Sequence, residues 1–168
     1  MFIAAVLQIA LAHSPSPDTL QIALSSTDGK ATTVGTVEAR QTAYGVLFTP
    51  KLQMLTPGIH GFHLHQNPSC ESAVVDGKAT PGGAAGPHFD PAKTAKHLGP
   101  YAQGHLGDLP AVYADKDGTA AAPVLAPRLK LSDLKGRSLM LHAGGDNHAD
   151  HPEANGGGAA RVACGVVR

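Results

Sequence analysis

The chain lacks tryptophan, has only 4% aromatic residues and carries no net charge, since 13 basic residues balance 13 acidic ones. A balanced charge gives no indication of a nucleic-acid or membrane-surface partner. With few aromatics but 20 glycines and 13 prolines among 168 residues, the composition disfavours long helices and favours short strands joined by turns. The length suits a single domain with a sizeable core.

Long hydrophobic runs are absent except at the N terminus. Met1–Ala12 is almost entirely apolar and ends in Ala-Leu-Ala, a pattern typical of a signal-peptidase site. The run is too short for a membrane-spanning helix, which needs roughly 20 residues. We therefore expect a signal peptide over 1–12 and a mature domain over 13–168, located in the periplasm or secreted. No Lys or Arg precedes the run, and a buried first strand is the alternative.

Cysteine is scarce, with only Cys70 and Cys164 in the chain. An even cysteine count behind an export signal indicates one disulfide in an oxidising compartment. Two free thiols are the alternative that these residues leave open.

Helical periodicity is also missing, and short β-branched or alternating apolar runs stand in its place. These runs predict strands over 19–25, 33–41, 44–52, 58–66, 111–114, 119–125, 138–142 and 160–167, with one helical turn at 132–135. About eight short strands without helices between them favour an all-β fold, an antiparallel sandwich or closed barrel, over a parallel α/β arrangement.

Two long stretches interrupt the strand pattern. Asn67–Leu109 has many glycines, prolines and histidines and almost no apolar period, and Gly144–Gly158 is a second such loop. Loops longer than about 12 to 15 residues are uncommon in a compact domain unless they are functional or disordered. A bound metal can supply the order that secondary structure does not, so we expect a metal to hold the longer loop.

The ten histidines include a set with the spacing of metal ligands. His63 and His65 stand two positions apart in a predicted strand, so both side chains emerge on one face and can reach one metal. The longer loop adds three histidines and one aspartate, a combination that suits a closed tetrahedral zinc site. A single histidine is more often a packing or loop residue, but the whole set, with His142 from a later strand, is hard to attribute to chance.

Four segments resemble those of a known family. Gly61–His65, Lys96–Pro100, Gly104–Pro110 and Gly157–Val166 resemble the motifs of bacterial copper/zinc superoxide dismutases, and the match runs from about residue 19 to residue 167. The resemblance implies an eight-stranded antiparallel Greek-key barrel of sandwich-like architecture with two long functional loops. It also implies one copper and one zinc per subunit, and dismutation of superoxide to dioxygen and hydrogen peroxide by alternating reduction and oxidation of the copper.

The family's metal ligands carry over residue by residue. The resemblance implies four copper ligands, which are His63, His65, His88 and His142. It implies four zinc ligands, which are His88, His97, His105 and Asp108. His88 would therefore bridge both metals.

Further roles follow from the same resemblance. Arg161 would guide the substrate anion and, with His88, act in catalysis, while Asp146 would hydrogen bond one copper histidine and one zinc histidine. Cys70 and Cys164 would form the disulfide. Local positive charge would steer the substrate, and the candidates for it are Lys93, Lys96 and Arg161.

Four histidines remain outside these sets. We interpret His60 as structural. His148 and His151, with Asp150 and Glu153, are interpreted as solvated surface residues, and accessory metal capture helped by His13 is the lesser alternative.

Other functions are weaker fits to the sequence. The main alternative is a secreted, non-enzymatic copper/zinc-binding or metal-delivery domain, and the complete ligand set together with Arg161 argues against it. A zinc hydrolase is disfavoured because the chain has no His-Glu-x-x-His motif and no evident general base. A structural sandwich with incidental histidines is a third alternative. We expect superoxide as the small-molecule partner, no nucleic acid, no membrane, and a possible homodimer.

Overall fold

The computed structural model describes residues 18–168, in which all strand pairings are antiparallel and long loops join the strands. The strands of this range are β1 (Thr19–Ser26), β2 (Thr33–Thr42), β3 (Gly45–Leu52), β4 (Gly58–His60), β5 (Phe62–His65), β6 (Ala73–Val75), β7 (Lys78–Thr80), β8 (Val112–Ala114), β9 (Val124–Ala126), β10 (Arg137–His142) and β11 (Arg161–Val167). Its short 3-10 turns are Gly83–Ala85, Leu131–Leu134 and Ala154–Gly157. The predicted signal peptide, Met1–Ala12, and His13 lie outside the described residues.

The strands form a curled sheet that nearly closes on itself. Seven strands pair in the order β5-β10-β11-β1-β2-β3-β9. β4 pairs with β8 and runs into β5 through Gly61, so β8 extends the sheet beyond β5. A turn in which the Asp115 N–H donates to the Thr119 carbonyl, at 2.9 Å, leads the chain from β8 towards β9 at the opposite edge. With β4 and β5 counted as one interrupted strand, and with the separate β6–β7 hairpin of the longer loop left out, the eight strands and the all-β fold class are confirmed.

Two segments differ from the prediction. The strand expected over 119–125 is a strand only at β9, and Ala120 contributes an isolated bridge to Leu52. The longer loop, expected to be irregular, contains the β6–β7 hairpin. Among residues 18–168, no helix is long and apolar enough to cross a membrane.

Strand alternation separates the core from the histidines. Phe62 and Leu64 in β5 are fully buried in the main apolar core, opposite Leu141 and Leu139 of β10. Because successive side chains of a strand point to opposite faces, the histidines of β5 emerge on the outside of this core. They are nevertheless buried, because the longer loop covers that face.

A register shift sets the end of β10. Leu141 pairs with Ala163, whereas His142 pairs with Arg161, two residues earlier in β11. Irregularities of this kind re-aim a side chain and are frequent next to functional sites. Here the shift places His142 and Arg161 opposite each other at the mouth of the loop-covered face.

The disulfide fastens the longer loop to the sheet. Cys70 precedes β6 and is bonded to Cys164 in the middle of β11, with a sequence separation of 94 and a Cα–Cα distance of 5.7 Å. Cys164 packs with Ala85 and Met140 in a small apolar cluster on the outer face of the sheet. The predicted pairing is confirmed.

Candidate metal centre

Four histidine rings converge at the outer face of β5. Their nearest nitrogens lie within 4.8 Å of one another, and the rings are His63, His65, His88 and His142. Two come from β5 and one from the end of β10, while His88 comes from the longer loop and forms an isolated bridge to His65. The four residues predicted as copper ligands are thus brought together.

Three of these rings keep one nitrogen free for a ligand. The Nε2 of His63 lies 2.7 Å from the Asp146 carboxylate, Nδ1 of His65 lies 2.8 Å from the Gly86 carbonyl, and Nδ1 of His142 lies 3.3 Å from the Ala159 carbonyl. Since these oxygens only accept, the bonded nitrogens carry the protons.

The other nitrogen of each ring carries a lone pair that has no hydrogen-bond partner. Nδ1 of His63, Nε2 of His65 and Nε2 of His142 are buried and make no hydrogen bond. A buried polar atom left unsatisfied costs about 1 to 3 kcal/mol, so three such atoms aimed at one point fit a cation. Imidazole nitrogens suit copper, zinc and iron alike, so this donor set fits copper without selecting it.

A second cluster shares His88 with the first. Its ligand atoms also lie within 4.8 Å of one another and belong to His88, His97, His105 and Asp108. The Nδ1 atoms of the three rings lie 3.0, 3.0 and 3.2 Å from one oxygen, Oδ1 of Asp108. Ligands at about 2.0 Å from a tetrahedral zinc are about 3.3 Å apart, so this spacing fits zinc. The Nδ1 of His97 is close to this oxygen but is not hydrogen bonded to it.

Asp146 ties the two clusters together. Its carboxylate accepts hydrogen bonds from Nε2 of His63 at 2.7 Å, from Nε2 of His97 at 2.8 Å and from the His148 N–H at 2.7 Å. Burial opposes the charge, but these bonds hold the pKa of Asp146 well below its usual range. The carboxylate therefore fixes the tautomer of one ring in each cluster.

The clusters differ in how their rings bind protons. Burial lowers the pKa values of His63, His65 and His88, and lowers that of His142 to about 4. Repulsion between His88 and the other three rings, when these are protonated, adds to the effect on those three. Burial also opposes a charge on His97, but Asp108 and Asp146 outweigh it and raise its pKa to about 9. The first cluster is therefore neutral at neutral pH, while a metal at His97 takes the place of a proton.

A cavity of about 420 Å³ leads to the first cluster. Its lining includes His65, His88, His142 and Arg161, with residues 153–155 and 157–159 of the second loop. Arg161 donates hydrogen bonds to the carbonyls of Gly82 at 2.6 Å and Gly86 at 2.8 Å. The Gly86 oxygen also accepts from His65, so one peptide holds the guanidinium and a cluster ring in a fixed relation.

Arg128 is a contributor that the sequence did not indicate. Its guanidinium donates to the carbonyls of Pro100 at 3.1 Å, Gly104 at 3.2 Å and His105. The side chain therefore braces the segment that carries one ring of the second cluster. No motif marks this arginine, because its partners are backbone atoms of a distant loop.

Within residues 18–168, the remaining histidines lie outside both clusters. The ring nitrogens of His60 each lie 2.7 Å from a carbonyl oxygen, of Thr56 and of His142, which agrees with a structural role. His148 and His151 are exposed, as expected of surface residues.

Charged residues of the loops are only partly as expected. Lys93 and Lys96 are exposed but do not line the cavity, whereas Glu153 does. Asp150 was expected to be a solvated surface residue, and it lies at the surface with intermediate exposure. The sequence did not indicate its bond to the longer loop, in which its carboxylate accepts the His97 N–H at 2.8 Å.

Comparisons with known proteins agree with this geometry. Residues 33–167 match the family described as copper/zinc superoxide dismutase (SODC). The chain is 60% identical over 136 residues to the Cu-Zn superoxide dismutase of Photobacterium leiognathi, an alignment covering 80% of this chain and 79% of that one. The structure is similar to the Cu/Zn superoxide dismutase from Brucella abortus, with a TM-score of 0.87 and 47% identity over 89% of this chain and 99% of that one. For the monomeric copper, zinc enzyme from Salmonella enterica the TM-score is 0.79 and the identity 48%, with coverage of 89% and 99%.

Proposed function

We propose that, of the two overlapping clusters, one binds copper and the other binds zinc. The chain belongs to the copper/zinc superoxide dismutase family, so it is an oxidoreductase that dismutes superoxide with these two metals. The cluster of His63, His65, His88 and His142 would hold copper. The cluster of His88, His97, His105 and Asp108 would hold zinc. The observation that carries this division is the set of buried, unpartnered nitrogens facing the first cluster, next to three rings gathered around one carboxylate oxygen.

The metals supply chemistry that side chains lack. Bound copper accepts and returns one electron, and bound zinc supplies charge and a cross-link without redox change. Since the two conversions of superoxide together consume two protons and give one dioxygen and one hydrogen peroxide, the protein must also bind an anion and deliver protons.

Arg161 and His88 are the residues we assign to those tasks. Arg161 faces the cavity beside the first cluster with a permanent positive charge and a planar set of donors, which suits a small anion. His88 lines the same cavity and turns Nδ1 towards Asp108, so with zinc held at Nδ1 its Nε2 would be the atom that holds copper or a proton. Of the other rings that line the cavity, His65 and His142 are held by backbone carbonyls and His105 by the Asp108 carboxylate.

Replacing Arg161 with isoleucine is expected to slow superoxide consumption at least severalfold, because the anion loses its fixed positive partner. The second-order rate constant is the measurement, with metal content checked in parallel. Arg40→Gln, which removes the same charge from an exposed position of β2, should leave the rate unchanged. A normal rate in Arg161→Ile would reject the role of the arginine. A metal-delivery domain would bind both metals but consume no superoxide in any variant.

Replacing Asp146 with asparagine is expected to weaken zinc binding about 10- to 100-fold, the usual cost of losing an outer partner of a metal-binding histidine. The amide cannot accept from both rings as the carboxylate does, so His97 loses its fixed tautomer. Chelator competition measures the zinc affinity. Unchanged affinity would show that Asp146 only shapes a turn.

The disulfide supports a location in an oxidising compartment, the periplasm or outside the cell. For the oligomeric state, the relative from Salmonella enterica named above is monomeric. We propose a monomer or a homodimer for this chain, and sedimentation equilibrium distinguishes the two.

A further inference from the structure

Asp150 joins the two long loops through backbone groups alone. One carboxylate oxygen, Oδ2, accepts the His97 N–H at 2.8 Å, and the other, Oδ1, accepts the Asn155 N–H at 3.1 Å. His97 belongs to the longer loop and to the second cluster, whereas Asn155 belongs to the second loop and lines the cavity. Hydrogen bonds to a charged acceptor are about twice as strong as neutral ones, so this is a firm connection between the loops.

The segment beyond Asp150 is a tight turn packed on the second cluster. Asn155 and Gly156 both have left-handed backbone conformations, with φ of 55° and 75°. A Cβ on Gly156 would lie 2.2 Å from Oδ1 of Asp146 and 2.7 Å from Nε2 of His97, so only glycine fits there. The Gly156 N–H donates to the Ala149 carbonyl at 3.0 Å, which closes the turn.

The same turn reaches the first cluster. A Cβ on Gly158 would lie 3.1 Å from the ring of His142, and residues 157–159 form part of the cavity wall. The turn therefore contacts a ring of each cluster, and Asp150 is the side chain that fixes its start to the backbone of His97.

We propose that Asp150 is a positioning residue. It couples the longer loop to the wall of the cavity that leads to the first cluster, so that zinc binding at His97 orders the turn at residues 150–158. This inference rests on the proposed assignment of zinc to the second cluster. Zinc fixes the ring of His97, the His97 backbone holds Asp150, and Asp150 holds the turn. The shape of the substrate's entrance then depends on zinc occupancy without any zinc ligand touching the substrate.

Hydrogen exchange at the Gly156 amide, followed by NMR in the full protein, tests the coupling. This amide bonds to Ala149 and not to Asp150, so its protection reports the turn itself rather than the deleted bond. In the wild type, adding zinc to the metal-free protein should raise its protection about tenfold, within the usual range of coupling between sites. In Asp150→Ala the same addition should change it less than about threefold.

Two further variants sharpen this test. Asp150→Asn keeps one acceptor oxygen and can bond His97 or Asn155 but not both, so it should also lose the response while disturbing the fold less. Arg128→Gln weakens the hold on His105 without touching the turn, so its Gly156 amide should still respond to zinc.

Chelator competition on each variant separates the possible failures. If no form binds zinc, the assignment of the second cluster is wrong. If zinc binds but the Gly156 amide does not respond in the wild type, or responds equally in Asp150→Ala and Asp150→Asn, the coupling role of Asp150 is wrong while the assignment of the metals stands.

Discussion

Replacing His142 with alanine should abolish superoxide consumption and remove tightly bound copper while zinc stays bound. The ring supplies one of three buried nitrogens that have no partner within the protein and face the first cluster. Losing only an outer hydrogen bond of a metal site costs about 10- to 100-fold in affinity or activity, and loss of a direct ligand should cost more than that. Zinc should remain, because His142 is not among the four residues of the second cluster.

Copper-loaded His142→Ala can be followed by its visible and paramagnetic spectra together with metal analysis and the rate of superoxide loss. His151→Ala is the matched control, since it removes an exposed histidine of the second loop that belongs to neither cluster. A variant at position 142 with a wild-type spectrum and rate would refute the copper assignment, and loss of both metals would show that His142 supports the whole loop-covered face.

The strands and their order of appearance could be predicted because their signal is local. Alternation in β1, β2 and β3 and the apolar run of β11 mark them within one or two residues of their observed ends. The segment 58–66 was predicted as one strand, but the structure interrupts it at Gly61, whose N–H donates to the Gly144 carbonyl at 2.7 Å. That break depends on a contact with a residue 83 positions away, which no local pattern contains.

The candidate ligands were also accessible from the sequence, but their supporting contacts were not. Histidine is a common metal ligand, so its presence in a sequence already suggests a metal site. The resemblance to the family then identified all seven candidate ligands. Asp150 and Arg128 act instead on backbone atoms of His97 and His105, at separations of 53 and 23 positions. The residue type alone does not tell whether such a side chain holds a distant backbone segment or is a solvated charge. Only the three-dimensional path of the loops shows that Asp150 and Arg128 hold such segments.

Removing the disulfide is expected to have a large effect on the stability of the protein. Cys70→Ala/Cys164→Ala should lower the free energy of unfolding of the metal-free protein by roughly 4 to 5 kcal/mol, because a cross-link over 94 positions removes much of the entropy of the unfolded chain. Since whole domains have about 5 to 15 kcal/mol of stability, this is a large share. The metal-free form is required, because bound metals stabilise the native state by mass action and would mask the difference.

Urea unfolding of the oxidised wild type, the reduced wild type and the double alanine variant measures this contribution. The last two should unfold at similar, lower urea concentrations, because both lack the cross-link and the alanines fill part of the same apolar cluster. The effect should extend to activity, since Arg161 lies three residues before Cys164 and its acceptors at Gly82 and Gly86 lie in the loop that Cys70 anchors. A double variant that unfolds at the same urea concentration as the oxidised wild type would mean that metal-independent packing, and not the cross-link, holds the longer loop against β11.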